Sequence, residues 1–215
     1  MSDDETTSDG ELSPRLTRKR DEILDAATEA FRNEGYEAAS MDRIAELAGA
    51  SKRTVYNHFG SKEALFQAVF ARLVDTVHGL QRFPYDPAAP LDEQLTRFAR
   101  TKSVLAEDPG WHGLLRTVLG VFIHQPALVI EAMLRAKQGE RALQDWLSAA
   151  AADGRLRIPD VARAADLFWN MVSGALFWPQ LFMGALPAAY RDSLIEDIVE
   201  TFLCRYRAPQ DDAPR

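Results

Sequence analysis

The sequence predicts an all-α protein, and three observations carry that prediction. Apolar residues recur every three or four positions through most of the chain, the spacing that lines one face of an α-helix. The alternating apolar and polar runs of a half-buried strand are missing. Serine, glycine and proline stand where the periodic segments begin and end, as caps and connectors do.

The first helix starts near Thr17, carries Ile23, Leu24, Ala27, Ala30 and Phe31 on one face, and stops at Gly35. Two short helices follow, Met41 to Ala48 and Lys52 to Phe59, separated by Gly49-Ala50-Ser51. Gly49 suits a left-handed turn position and Ser51 an N-cap. Ser61 caps a fourth helix running to about Gln81, with Leu65, Phe66, Val69, Phe70, Leu73 and Val77 at helical spacing. Residues 83–90 contain Pro84, Pro87 and Pro90 and form a non-helical connector. Beyond it, helices are expected near 91–107, 109–124, 126–152, 160–178 and 188–206, which makes about nine in all. Residues 1–15 set Asp3, Asp4, Glu5, Asp9 and Glu11 against Arg15 alone, and 207–215 are similarly polar, so both ends are expected to be disordered tails.

Composition removes several classes of function. With 47% hydrophobic and 27% charged residues in 215, the chain has the make-up of an ordinary globular protein. Its single cysteine, Cys204, excludes an intramolecular disulfide framework and cysteine-rich zinc modules, and suits a reducing, cytoplasmic setting. Met1 is followed by acidic residues, the opposite of a secretory signal. Leu167 to Tyr190 is free of charge and long enough to span a bilayer. However, Asn170, Ser173 and Gln180 interrupt it, Pro179 is expected to break it and 184–187 reads as a loop, so it is a buried helix plus turn with no membrane partner. His112, His124 and Asp108 lack the spacing of a metal site, and neither metal nor cofactor is expected. HExxH, GxSxG, a phosphate-cradling glycine loop and paired Glu-x-x-His are all missing, which argues against an enzyme. A helical-bundle enzyme and a protein-binding adaptor remain the alternatives to the reading that follows.

Residues 40–62 carry the strongest signal. Two helices of about two turns meeting at a glycine-containing turn have the layout of a helix-turn-helix. Ile44, Leu47 and Ala48 face inward from the first, Val55 and Phe59 from the second. Lys52, Arg53, Thr54, Tyr56, Asn57 and His58 then occupy the outer side or the N-terminal end of the second helix, with no carboxylate among them. Such groups donate to phosphate oxygens and base edges. The strip from Ala48 to Lys62 carries Lys52, Arg53 and Lys62 and is cationic, inside a chain of net charge −7. Ser40, Ser51 and Ser61 each precede a helix whose backbone N–H groups suit phosphate.

Residues about 16–66 closely resemble the DNA-binding domain of the TetR family of bacterial transcriptional regulators. The resemblance rests on Ile23-Leu24-Asp25-Ala26-Ala27, Phe31, Gly35-Tyr36, Ser40-Met41, Ile44-Ala45, Ala48-Gly49, Ser51-Lys52, Tyr56-Asn57-His58-Phe59 and Ser61-Lys62-Glu63-Ala64-Leu65. It implies a three-helix DNA-binding domain over 16–62 and a larger helical ligand-binding and dimerisation domain over 63–206. It further implies a homodimer on a palindromic operator in double-stranded DNA, released by a small-molecule inducer, most often as a repressor. Lys52, Arg53, Thr54 and Asn57 fall at groove-facing positions; Ser40, Ser51, Tyr56, His58 and Lys62 fall where the family holds phosphates or caps helices. Arg53 stands where many members carry Gly or Pro, and Asp42 where some place a cation. The resemblance also implies an apolar inducer pocket, for which Phe98, Trp111, Phe122, Trp146 and Trp169 are candidates. A dimer interface is expected from the last two long helices, with Phe168, Val172, Phe177, Leu194, Ile198 and Phe202 as candidates.

Overall fold

A computed structural model describes residues 14–80, 82–105, 109–130 and 141–209. The expected tails at 1–13 and 210–215, Asp108, and residues 131–140 of the helix expected over 126–152 lie outside the described residues. The described chain is helical: α1 (Pro14–Glu34), α2 (Met41–Leu47), α3 (Lys52–Phe59), α4 (Lys62–Leu80), α5 (Leu91–Leu105), α6 (Pro109–His124), α7 (Ala142–Ala152), α8 (Val161–Val172), α9 (Trp178–Met183) and α10 (Ala188–Tyr206). A π-helical turn, Ser173–Phe177, joins α8 to α9, and residues 126–130 are also helical. The β-type pairing among these residues is one isolated bridge, Leu156 to Arg207.

The chain divides into two compact units at Val69–Phe70. In the first, Ile23, Leu24, Ala27, Ala30 and Phe31 of α1 are buried, as their spacing predicts. Phe66 of α4 meets Phe31 edge-on at 5.6 Å and Tyr36 at 5.0 Å. Those ring contacts carry the unit past residue 62, the boundary expected from the motif, because the start of α4 completes its core. Leu47 is a second correction. The seven-residue α2 buries Met41, Ile44 and Ala45, and Leu47, at the edge of that stripe, is 37% exposed.

The second unit packs α5, α7, α8 and α10 around one core that includes Leu95, Phe98, Trp146, Phe168, Trp169 and Phe202. The four-residue turn 184–187 makes α10 antiparallel to α8 and α9, and Phe168 meets Phe202 at 5.3 Å. Arg100 reaches Asp192 at 3.7 Å while Asp92 shares a recess with Arg207, so α5 is also antiparallel to α10. Consequently α5 and the α8–α9 helix run in the same direction.

The proline-rich connector is ordered by one buried side chain. Gln94 Oε1 accepts from Asp86 N at 2.9 Å and from Trp146 Nε1 at 3.0 Å, while its Nε2 donates to Asp86 O at 2.9 Å and Ala89 O at 3.0 Å. Arg155 donates to Pro87 O and Ala89 O from outside. A segment unable to form its own helix thus has its backbone groups met by side chains.

Pro179 does not end its helix. It falls at the start of α9, directly after a π turn whose wider coil admits the ring. Helical backbone therefore reaches Met183. No helix among the described residues is long and apolar enough to cross a membrane.

The structure gives most of the candidate pocket and interface residues to the core of the unit itself. Phe98, Trp146 and Trp169 are buried and joined edge to face, each tryptophan 6.2 Å from Phe98. Trp111 is half-buried and Phe122 exposed. Phe168, Val172, Ile198 and Phe202 are core residues, with Leu194 and Phe177 half-buried. The helical stripe identified them as buried but not what buries them; the outward apolar residues on these helices are Leu167, Trp178, Phe182, Met183 and Tyr190.

Gln94→Ala is expected to lower stability by about 2–3 kcal/mol, since it leaves buried Trp146 Nε1 and connector backbone groups unpaired. Urea unfolding followed by tryptophan fluorescence measures this; a loss below about 0.5 kcal/mol refutes the role given to Gln94.

Candidate nucleic-acid interface

An eight-residue helix has little stability alone, so α3 depends on its ends and on its buried face. Ser51 caps it, Oγ accepting from Thr54 N at 3.1 Å, and Val55 and Phe59 are its buried residues. The turn before it is a Schellman close of α2: Ala50 N donates to Ala45 O at 2.9 Å and Gly49 N to Glu46 O at 3.1 Å. Gly49 holds φ +53°, a left-handed conformation that a side chain disfavours. Ser40 and Ser61 cap their helices in the same manner, accepting from Arg43 N and Ala64 N.

With Val55 and Phe59 turned inward, Lys52, Arg53, Tyr56 and Asn57 are exposed, and Thr54 and His58 are half-buried. Tyr56 is 42% exposed, with the Lys52 ammonium 5.9 Å from the centre of its ring. α3 contains no carboxylate. This surface suits the negative, donor-hungry backbone of a nucleic acid.

Two lysines hold the frame. Lys19 of α1 donates to Ala48 O at 3.0 Å and Gly49 O at 3.2 Å while pairing with Glu22 at 2.8 Å. It thereby fastens the turn between α2 and α3 to α1. Lys62, expected to reach phosphate, donates instead to Glu37 O at 3.1 Å and Ala39 O at 2.9 Å, with its ammonium 4.5 Å from the centre of the Tyr36 ring. That clamp fixes the loop leading to Ser40. Arg20 lies over the Phe59 ring at 5.2 Å. Lys19 and Arg20 were not readable as site residues, since Ala48, Gly49 and Phe59, which they touch, lie about thirty to forty residues further along the chain.

Lys52 is not free either. Its ammonium lies 2.8 Å from Asp42 Oδ1 and 3.0 Å from Oδ2, a bridge from α2 to the first turn of α3. The hydrogen bond, and then the charge, of Asp42 raise the lysine above its ordinary pKa. Arg43 is bound to Glu34 and Glu46, which leaves Arg53 as an exposed cation at the front of α3 with no ion pair among the described residues.

Tyr36 sits beneath this frame. Burial first, and then the nearby Glu63 carboxylate, push its phenol up to about 12. Glu63 itself is held below the usual carboxylate range by its own backbone N–H at the start of α4 and by the Ser61 hydroxyl.

The geometry defines a helix-turn-helix DNA-binding domain followed by a separate helical domain, and comparison with known proteins gives the family. Residues 23–69 match the model for bacterial regulatory proteins of the tetR family, and residues 93–208, more than half of the chain, match the C-terminal domain of AefR-like transcriptional repressors. A TetR-family regulator from Pseudomonas syringae pv. tomato is 35% identical, with TM-score 0.71 over 92% of this chain and 100% of that one. The flavonoid-responsive regulator FrrA is 27% identical, with TM-score 0.75 over 90% of this chain and 100% of its own. Among curated proteins, the transcriptional activator FasR of Mycolicibacterium smegmatis is 48% identical over 68 residues, covering 32% of this chain and 31% of FasR. The repressor AcnR of Corynebacterium efficiens is 42% identical over 62 residues, 27% of this chain and 33% of AcnR. These matches span about a third of the curated relatives' length. The chain belongs to the TetR family of transcriptional regulators, which are DNA-binding proteins and not enzymes.

Two outcomes follow from this geometry. Asp42→Asn removes a negative charge and releases Lys52, so DNA affinity should fall more steeply with salt, the log–log slope gaining up to about one unit. Fluorescence anisotropy of a labelled duplex across a salt series reads this, and an unchanged slope refutes the competition between Asp42 and DNA. For Tyr36, a phenol raised in the folded state stays neutral while the unfolded one ionises. Its stabilising contribution is therefore complete below about pH 10 and lost as pH rises toward 12. Tyr36→Phe should lose less stability than the parent between pH 10 and 12 in chemical unfolding; equal losses contradict the assignment.

Proposed function

We propose that this chain is a ligand-responsive transcriptional repressor that binds an inverted-repeat operator as a homodimer and is released by an apolar small molecule held in the second unit. The observation that carries the DNA reading is the outward face of α3, on which Lys52, Arg53, Tyr56 and Asn57 are exposed together on a helix without a carboxylate. Two such helices, one from each protomer, enter successive major grooves about 34–36 Å apart. Arg53 is the residue proposed to read a base edge, guanine being the natural partner of a bidentate guanidinium. Tyr56, His58 and Ser40 are assigned to the phosphates, and Ser51 and Thr54 to the start of the groove-facing helix. Lys62 acts by holding the loop before Ser40.

The dimer reading is supported by the outward apolar residues of α8, α9 and α10, among which Phe182 is 69% and Met183 78% exposed. Clusters of this kind mark association surfaces. Release requires only that the ligand bind one dimer geometry better than the other, by a few kcal/mol, about what shifts a two-state equilibrium decisively. FrrA is a flavonoid-responsive regulator, which supports an aromatic ligand for this related chain. AcnR is a repressor and FasR an activator; the AefR-like repressor match over 93–208 favours repression here.

Selection of random duplex DNA by the purified protein, at near-physiological and at higher salt, tests this. The expected result is an enriched inverted repeat with steep salt dependence, lost with Tyr56→Ala. Arg53→Ala should relax preference at one base pair of each half-site by about 1–3 kcal/mol and leave the other positions as they were. Enrichment of nothing by the folded dimer, or of a site indifferent to both substitutions, overturns the reading.

A further inference from the structure

The chain between α4 and α5 and the helix α7 enclose a recess of about 500 Å³, a volume within the range of small-molecule sites. Ala142, Asp145, Trp146 and Ala149 form its α7 side at helical spacing, and Arg82, Phe83 and Tyr85 contribute from the connector side. Space remains beside the indole because its neighbours along this face of α7 are alanines, too short to fill it. Tyr85 meets the Trp146 ring edge to face at 5.6 Å, so the aromatic side chains belong to one wall.

The polar atoms of that wall are already engaged. Trp146 Nε1 donates to Gln94 Oε1 at 3.0 Å, and the Tyr85 hydroxyl donates to Asp153 Oδ2 at 2.6 Å. What the wall still offers is ring surface, since Phe83 and Tyr85 are only half-buried. Charge comes from Arg82, Arg141 and Asp145, all exposed and none in an ion pair among the described residues. Two guanidiniums against one carboxylate leave the recess positive, inside a chain of net charge −7. The recess between α5 and α10 differs in kind: it holds about 840 Å³ and is lined by five carboxylates, two guanidiniums and no aromatic side chain.

We propose that the recess between the connector and α7 binds a planar aromatic anion, its rings against Phe83, Tyr85 and Trp146 and its carboxylate paired with Arg82 and Arg141. A guanidinium both forks a carboxylate and stacks on an arene, so either arginine can serve the two ends of such a molecule. A neutral arene leaves the guanidiniums unused, and an aromatic cation meets two like charges. The recess is built on the segment that follows α4, the helix containing the boundary between the two units. The site places the aromatic ligand of the inducer reading given above, and its regulatory role rests on that reading.

The probes are 2-naphthoate, its neutral counterpart 2-naphthalenemethanol, and acetate as an anion without rings. Each is titrated at fixed ionic strength into the full-length ¹⁵N-labelled protein while the indole N–H resonances are followed. Trp146→Phe assigns the Trp146 resonance, and phenylalanine at each of the other tryptophans assigns it by elimination where that variant fails to fold. Naphthoate should shift this resonance saturably, with naphthalenemethanol at least about fivefold weaker and acetate without effect over the same range. Arg82→Gln and Arg141→Gln should each weaken naphthoate about threefold and leave naphthalenemethanol as it was, whereas Asp145→Asn should strengthen naphthoate. Ala149→Leu, which fills the recess, should weaken both naphthalene probes. Equal binding of the charged and neutral probes, a matching effect of acetate, indifference of naphthoate to both arginine substitutions, or no shift of Trp146 each overturns the proposal. Binding of the duplex enriched in the selection above, measured on the same samples, separates the two readings. Naphthoate binding without any change in DNA affinity overturns the inducer reading and leaves the aromatic-anion site standing. Absence of naphthoate binding with intact DNA binding overturns the site alone.

Discussion

Val55 and Phe59 fasten α3 to its domain, and the outward direction of Lys52, Arg53, Tyr56 and Asn57 follows from that fastening. A helix of two turns has too few internal hydrogen bonds to hold its shape in water, so its geometry is imposed by what it packs on and by what closes its ends. The Schellman turn at Gly49, the Ser51 cap and the Lys19 ammonium on the Ala48 and Gly49 carbonyls all act at the same junction. The Phe31–Tyr36–Phe66 cluster and the Lys62 clamp do the same for the loop that delivers Ser40. Two kinds of cation stand out in this domain. Lys19 and Lys62 act on the protein's own backbone, and Arg53 faces outward.

The bridge between Lys52 and Asp42 belongs to neither kind. Both side chains are about 60% exposed, so the pair contributes little to folding, and its effect lies in what it withholds. A cation at the front of α3 is engaged by a carboxylate of the helix before it. An anion approaching this helix must compete with Asp42 for that ammonium. A net charge of −7 works in the same direction over the whole molecule, by disfavouring loose association with DNA.

The second unit is built on contrast. Around Gln94 and Trp146 every polar group is met, and the connector, Tyr85 and Arg155 lock that end of the core. Elsewhere in the same core Trp169 Nε1, Ser103 Oγ and Gln180 Oε1 are buried without a hydrogen-bond partner, while Gln180 Nε2 donates to Leu176 O.

Much of this was legible in the chain alone. Helical spacing located the helices that the structure describes, and Ser40, Ser51 and Ser61 marked their starts, because caps and periodicity are local properties of sequence. The outward set on α3 was legible for the same reason: once Val55 and Phe59 turn inward, geometry places the others. The exceptions share one cause. Pro179 reads as a stop, yet a preceding π turn admits it. Lys62 reads as a phosphate ligand, yet carbonyls 23 and 25 residues away take its ammonium. Phe168, Val172, Ile198 and Phe202 read as an interface, yet they fill the core of their own unit. Periodicity determines that a side chain is buried, and composition that a cation is present; which atoms bury the one or hold the other depends on residues distant in the chain. The sequence by itself thus determined the helices, the outward face of α3 and the family. The tertiary structure alone decided which lysines serve the backbone, which aromatics are core, and which buried polar atoms remain without a partner, because each is settled by contacts between helices that only the fold brings together.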